Sequence, residues 1–270
     1  MLRFLLLFCI TITFQLNAQQ QVFVESRDAL KLLKKDKALF IKSIEKDHSG
    51  FYVKGSTFIR KGELLAENHK LKDELELAIL FAEKGIDTEK TLVIYDDGTG
   101  WEAGGLYWLM DQMGVSDVRI LSGGMNEWLD RNKKYVTRKP VQLKETKSLL
   151  LEKDPGLCVD MPFVKKHIDH FQYALVDTRN SSDEGSIPGS FRISYQAFKT
   201  PNGSYKSIGE ISLLLSEYSI TRDLDVIVYH EDFFGAGYMY ALLKAIGYPN
   251  ISVYTGGFSE WQSDSSNRIM

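Results

Sequence analysis

The sequence predicts an α/β protein of two domains, each a mainly parallel sheet flanked by helices on both faces. Three observations predict this. The first is an internal duplication. The stretches "MGVSDVRILSGGMNEW" (113–128) and "IGYPNISVYTGGFSEW" (246–261) share Gly114/Gly247, Gly123/Gly256, Gly124/Gly257, Glu127/Glu260 and Trp128/Trp261 at a constant offset of 133. That offset is a domain length, not a solenoid repeat. The second is alternation of apolar strands with helices inside each copy, the pattern of a sheet covered on both faces. The third is composition: 44% hydrophobic and 26% charged residues in a chain of 270 suit two globular cores.

Taken in chain order, residues 1–18 stand apart from the fold. Arg3 supplies a positive start, "LLLFCITITF" (5–14) an apolar run too short to span a bilayer, and Ala18 a small residue for cleavage. This reads as a secretory signal peptide, so the expected location is periplasmic or extracellular. A retained membrane anchor is the alternative. Cleavage near Ala18 removes Arg3 and Cys9, leaving 32 basic against 36 acidic residues and Cys158 as the one thiol. One cysteine forms no internal disulfide, so the hydrophobic core must hold the fold. The mild negative charge gives no attraction to nucleic acid, and no membrane contact is expected after cleavage.

The first domain is expected over 22–131. Strand Leu92–Tyr95 runs into a polar, Gly-containing loop, then a helix that ends at Gly114 in the manner of a C-cap. Strand "VRIL", a Gly doublet and a Trp-bearing helix follow. The doublet permits a tight strand-to-helix turn, and Trp128 is expected to pack on the sheet. Residues 132–156 read as the connection between the domains, ordered in part against both. The second domain, expected over 157–266, repeats the order with Val226–Tyr229, "ISVY", Gly256–Gly257 and Trp261. A weaker echo aligns "ALFIKS" (38–43) with "ALVDTR" (174–179).

These residues resemble the rhodanese family, specifically its tandem thiosulfate and mercaptopyruvate sulfurtransferases. "LVDTRNSSDEGSIPGSFRI" resembles the family's first signature at Asp177, Arg179, Glu184, Gly185, Ile187, Pro188 and Gly189, with Ser186 for the usual His and Ser190 for the usual Ala. "TGGFSEW" resembles the closing signature. The family's active loop reads Tyr-Cys-x-x-Gly-x-x-Ala, seventeen residues before the Gly that ends the next helix. Counting back from Gly247 lands on His230, with Tyr229 before it, Ala236 six after it, and Phe233 where Gly is usual. The same count from Gly114 lands on Asp97, whereas Asp96 directly follows Tyr95, and the two remain alternatives. The resemblance implies a non-catalytic first domain and no cofactor.

The substitution at 230 alters the chemistry. The family's loop wraps backbone N–H groups around one point at a helix N-terminus, which favours an anion. A cysteine there becomes a thiolate that accepts sulfane sulfur as a persulfide. An imidazole has no comparable reversible S–S bond to offer. In the first domain an Asp would fill the nest and cap the helix itself. In the second, His230 would sit among donors that keep it neutral at pH 7, against the pull of Glu231 and Asp232. Phe233 and Phe234 would make the pocket mouth apolar or closed. Cys158, expected to be a buried structural residue ahead of the second domain's first strand, is the remaining thiol.

Other signals are weaker. Gly98-x-Gly100-x-x-Ala103 follows a strand as in dinucleotide sites, but Asp96 and Asp97 would repel a pyrophosphate. His167 and His170 with Asp160 and Asp169, or His230-Glu231-Asp232, are conceivable metal ligands without a recognisable ligand set. Three readings stay open: a family member with little or no sulfurtransferase turnover that binds a small anion or a protein; a sulfurtransferase using Cys158 or a partner's thiol; and a metal- or phosphate-directed enzyme using His230. No catalytic residue is assigned; the candidate positions are the altered loop His230, Glu231, Asp232, Phe233, Gly235 and Ala236, the signature residues Asp177 and Arg179, and the first-domain loop residues Asp96 and Asp97.

Overall fold

The computed structural model describes residues 22–67, 70–146, 154–180, 185–200 and 206–270. The proposed signal segment 1–18 and Glu184 lie outside them. The first domain holds β1 (Phe23–Val24), α1 (Ser26–Lys34), β2 (Ala38–Ile44), β3 (Tyr52–Val53), β4 (Thr57–Arg60), α2 (Glu74–Glu83), β5 (Thr91–Tyr95), α3 (Trp101–Gln112), β6 (Val118–Leu121) and α4 (Gly124–Arg131). Strand β7 (Val136–Thr137) follows. The second domain holds β8 (Cys158–Val159), α5 (Met161–His167), β9 (Tyr173–Asp177), β10 (Phe191–Arg192), α6 (Ile208–Glu217), β11 (Asp225–Tyr229), α7 (Phe233–Ala245), β12 (Ile251–Tyr254) and α8 (Gly257–Ser263).

The duplication is exact in topology. The sheets run β1-β6-β5-β2-β4 and β8-β12-β11-β9-β10, all pairs parallel. The central strands "TLVIY" and "DVIVY" are buried along nearly their whole length, as a sheet covered on both faces requires. Trp128 and Trp261 lie in the cores beneath the sheets, their indole N–H groups donating to the carbonyls of Tyr135 and Arg268.

Two sequence expectations are corrected here. Register pairs Lys42 with Tyr95 and Asp177 with Tyr229, so Lys42, not Ile41, is the counterpart of Asp177. The echo read from "ALFIKS" and "ALVDTR" was one residue out of step, which in a strand exchanges the two faces. Cys158 also lies on the second domain's first strand, paired with Val253 on β12, and is half-buried at the sheet edge. The connection is ordered chiefly on the first domain. Strand β7 pairs antiparallel with β3, and the Thr146 hydroxyl donates to the Ile86 carbonyl. Its far end contacts α3 and its flank, where the Asp154 N–H donates to Gln112 and the Trp108 indole to the Leu157 carbonyl.

The domains join through α3 and α7, related by the same offset as the repeat. Tyr107 packs on its counterpart Tyr240, and Asp111 pairs with its counterpart Lys244 at 2.5 Å. At the crossing a Cβ on Gly237 would stand 2.6 Å from the Gly105 Cα and the Gly104 carbonyl oxygen. Glycine costs about 1 kcal/mol relative to Ala inside a helix. Here it lets the two backbones touch, which brings the active-loop ends of both sheets together.

Candidate functional site

Both repeats end their central strand at a buried tyrosine used in the same way. The Tyr95 hydroxyl accepts from the Val53 N–H at 3.0 Å and bonds Ser56; the Tyr229 hydroxyl accepts from the Ile187 N–H at 3.1 Å and bonds Ser190. The next residues, Asp96 and His230, each present their carbonyl to the N–H of the following doublet helix, at Met125 and Phe258. A Cβ on Gly124 would lie 2.6 Å from the Asp96 carbonyl oxygen, so the doublet is required for that approach. The strands and these bonds settle the open question: Asp96, not Asp97, is the counterpart of His230.

Asp96 fills the first nest. Its carboxylate accepts from the N–H groups of Gly98 (2.8 Å), Gly100 (3.1 Å), Glu102 (3.2 Å) and Ala103 (3.4 Å), at the start of α3. Those donors belong to the stretch that superficially fits a dinucleotide fingerprint, and they are occupied by the chain's own anion. Asp97 turns the other way, to buried Lys42 at 2.7 Å and to the N–H groups of His48 and Ser49.

The second loop differs from the sequence expectation. His230 does not sit among amide donors. The N–H groups of Phe234 and Gly235 donate to Asp232 at 2.9 and 3.3 Å, so Asp232 caps α7 and takes the donors that a bound anion would use. Asp232 also pairs with Lys61 of the first domain at 2.7 Å. The His230 ring lies over Gly235 and meets Trp101 edge-on, with centroids 4.1 Å apart. Phe233 and Phe234 are corrected as well. They are buried in the domain interface, Phe233 against Trp108 and Phe234 against Gly105, and neither closes the cavity at His230. Ala236 is buried in α7.

Burial, more than hydrogen bonding, governs His230. Desolvation drives its pKa down to about 4, against an upward pull from Asp232, Glu231 and Asp177. The folded value lies below that of an unfolded imidazole, so the unfolded chain binds the proton more readily. The stability His230 confers is complete above about pH 6.5 and is lost as pH falls toward about 4. Urea unfolding is therefore expected to show a loss of about 3 kcal/mol across that interval. His230→Gln should flatten this limb, and an unchanged slope would contradict the assignment.

Asp177 and Arg179 form the floor. Arg179 donates to both Asp177 oxygens, to Glu231 at 3.1 Å and to the Gly185 carbonyl, and its guanidinium stacks on Phe258 at 3.5 Å. Arg192 adds a second guanidinium to Asp177 at 2.9 Å. Burial alone would raise the Asp177 pKa, and the hydrogen bonds from Arg179 outweigh it, so the carboxylate stays below its usual range.

Between the domains lies a cavity of about 470 Å³. Its first-domain wall is His48, Asp97, Thr99, Trp101 and Glu102; its second-domain wall is Arg179, Asn180, Tyr195, His230 and Glu231. Sequence reasoning did not find Trp101, Glu102 or Tyr195. The available signal was the glycine-rich α3, "WEAGGLYW", whose mid-helix glycines mark a close contact with another backbone. Cys158 lines a different cavity and contacts the Pro155 carbonyl and Gln112. Glu231 and Asp232 diverge to Arg179 and Lys61, and His167 packs with His170 on Tyr173. Among the described residues no group of three or more His, Cys, Asp or Glu could hold a metal ion.

Comparison with known proteins agrees with this geometry. The model of the rhodanese-like domain matches residues 17–131 and 161–264. The thiosulfate sulfurtransferase of Pseudomonas aeruginosa is 29% identical over 202 residues, covering 71% of this chain and 73% of its own. The sulfur carrier protein TtuD of Thermus thermophilus is 27% identical over 210 residues, covering 70% of this chain and 73% of its own. The solved 3-mercaptopyruvate sulfotransferase SseA of Escherichia coli superposes with a TM-score of 0.78 at 20% identity, over 88% of this chain and 99% of that one, a likeness of fold. Two copies of one domain, in the same strand order and with the same tyrosine-anchored loops, place the chain in the rhodanese family as a tandem, sulfurtransferase-like member.

Proposed function

We propose that this chain is an exported rhodanese-family protein without a persulfide cycle at its second-domain loop, retained to bind a ligand in the interdomain cavity. The apolar run 5–14 behind Arg3 supports export, and no described helix is long and apolar enough to cross a membrane. One observation carries the reading of the loop: His230 follows Tyr229, and the Phe234 and Gly235 N–H groups already hold the Asp232 carboxylate. The site therefore lacks the sulfur that would be persulfurated and the donors that would stabilise its thiolate.

The same bonds argue against the small anion expected from the loop's ancestry. Both nests hold internal carboxylates. Arg179, the guanidinium on the cavity wall, is engaged by Asp177 and Glu231. Cys158 is poorly placed to replace the missing nucleophile, because its Sγ does not line this cavity. The mature protein with cyanide and thiosulfate, or with cyanide and mercaptopyruvate, is expected to form no thiocyanate above the protein-free rate. Thiocyanate formation abolished by Cys158→Ser would establish the sulfurtransferase reading instead.

A further inference from the structure

The interdomain cavity has the wall chemistry of a cation site. Trp101 and Tyr195 stand at its edge with ring centroids 5.1 Å apart, and His230 adds an imidazole 4.1 Å from Trp101. Three carboxylates share the wall: Asp97, Glu102 and Glu231. Asp97 is matched by Lys42 and Glu231 by Arg179. Glu102 is different. Its carboxylate accepts the N–H groups of Glu45 and Lys46 at 2.9 and 3.1 Å, and it has no cation within ion-pair distance among the described residues. Burial, and then the nearby Asp96 and Asp97, raise its pKa against the opposing pull of the Glu45 and Lys46 N–H groups.

One ammonium of the chain itself already stands at the edge of this wall. The Lys199 ammonium donates to the Thr99 carbonyl at 2.6 Å and stands 5.7 Å from the Tyr195 ring centroid. An ammonium bearing alkyl groups suits the remaining space. Its charge meets aromatic faces and a carboxylate, and its methyl groups need no hydrogen-bond partners. An anion would meet Glu102 and Glu231, with the Arg179 guanidinium engaged by Asp177 and Glu231 and the Lys199 ammonium donating to the Thr99 carbonyl. A metal ion would require converging ligands, which the wall does not offer.

Resting on the reading of the cavity as a ligand site, we propose that it takes a small organic ammonium compound, held between Trp101, Tyr195 and the Glu102 carboxylate. The test titrates choline into the mature protein by calorimetry, beside dimethylbutanol as its uncharged isostere and thiosulfate as an anion. Choline is expected to bind at least about tenfold more tightly than dimethylbutanol. Glu102→Gln, which keeps an acceptor for the Glu45 and Lys46 N–H groups, should weaken choline about tenfold, and Trp101→Leu by a similar factor. A chemical-shift change at the Trp101 indole N–H places the ligand. Absence of choline binding, equal affinity for dimethylbutanol, tighter binding of thiosulfate, or an unaltered affinity in Glu102→Gln would each overturn the proposal. None of these readouts depends on sulfur transfer, so thiocyanate formation would remove the reading of the loop while leaving the cation result to be judged separately.

Discussion

His230→Cys alone is expected to leave the protein without measurable thiosulfate turnover, whereas His230→Cys combined with Asp232→Gly gains it. A cysteine at 230 supplies a sulfur but not the donors that would stabilise its thiolate. The Phe234 and Gly235 N–H groups remain bound to Asp232, and that carboxylate would oppose a neighbouring thiolate. Glycine at 232 frees both donors and removes the opposing charge. Lys61, paired with Asp232 at 2.7 Å, keeps its second partner Glu45 at 3.0 Å. Losing the cap to glycine costs the helix only a few tenths of a kcal/mol, about the smallest loss of any cap replacement. One preorganised donor is worth about 100-fold or more in rate, so the double variant should exceed the single by at least that factor. The check is the rate of thiocyanate formation, with the pH dependence of iodoacetamide alkylation reporting the thiol pKa. A single variant as active as the double would mean that Asp232 does not control the nest.

Asp177→Ala should be among the most destabilising single changes in the second domain. The Asp177 side chain is fully buried, and that of Arg179 is 2% exposed. Removing the carboxylate leaves the Arg179 and Arg192 guanidinium groups beside one another without the anion that both share. Breaking one partner out of a buried ion pair costs about 3–5 kcal/mol. The pH dependence has a definite sign. The folded Asp177 pKa lies below its unfolded value, so its contribution is present above about pH 4 and is lost as pH falls further. Chemical unfolding of the variant at neutral pH should show the full loss, and its acid limb should be shallower than that of the parent. An unfolding midpoint within error of the parent would show the network to be energetically idle.

These outcomes rest on features of unequal legibility. The duplication, the parallel sheets and the equivalence of Tyr95 with Tyr229 follow from residue patterns that repeat at a domain-length offset, because buried strands and tight Gly turns tolerate few residue types. The absence of a cysteine after Tyr229 is likewise a property of the chain alone. Counting across loops was less secure. The first loop carries one more residue than the second, so a count from the helix end reached Asp97, while strand register reached Asp96. The weak echo at β2 and β9 slipped by one residue for a similar reason: short apolar runs align almost equally well in adjacent registers.

What the sequence by itself determined is the fold class, the two-domain division and the element that bears the altered loop, since these depend on local periodicity and turn chemistry. Only the tertiary structure decided which anion occupies each nest, where Phe233 and Phe234 are spent, and that Trp101 and Glu102 meet Tyr195 and His230 across the domain boundary. The physical reason is competition. A backbone N–H satisfied by Asp232 is unavailable to any other acceptor, and a cavity wall assembled from two domains exists only once the α3–α7 crossing has set their distance.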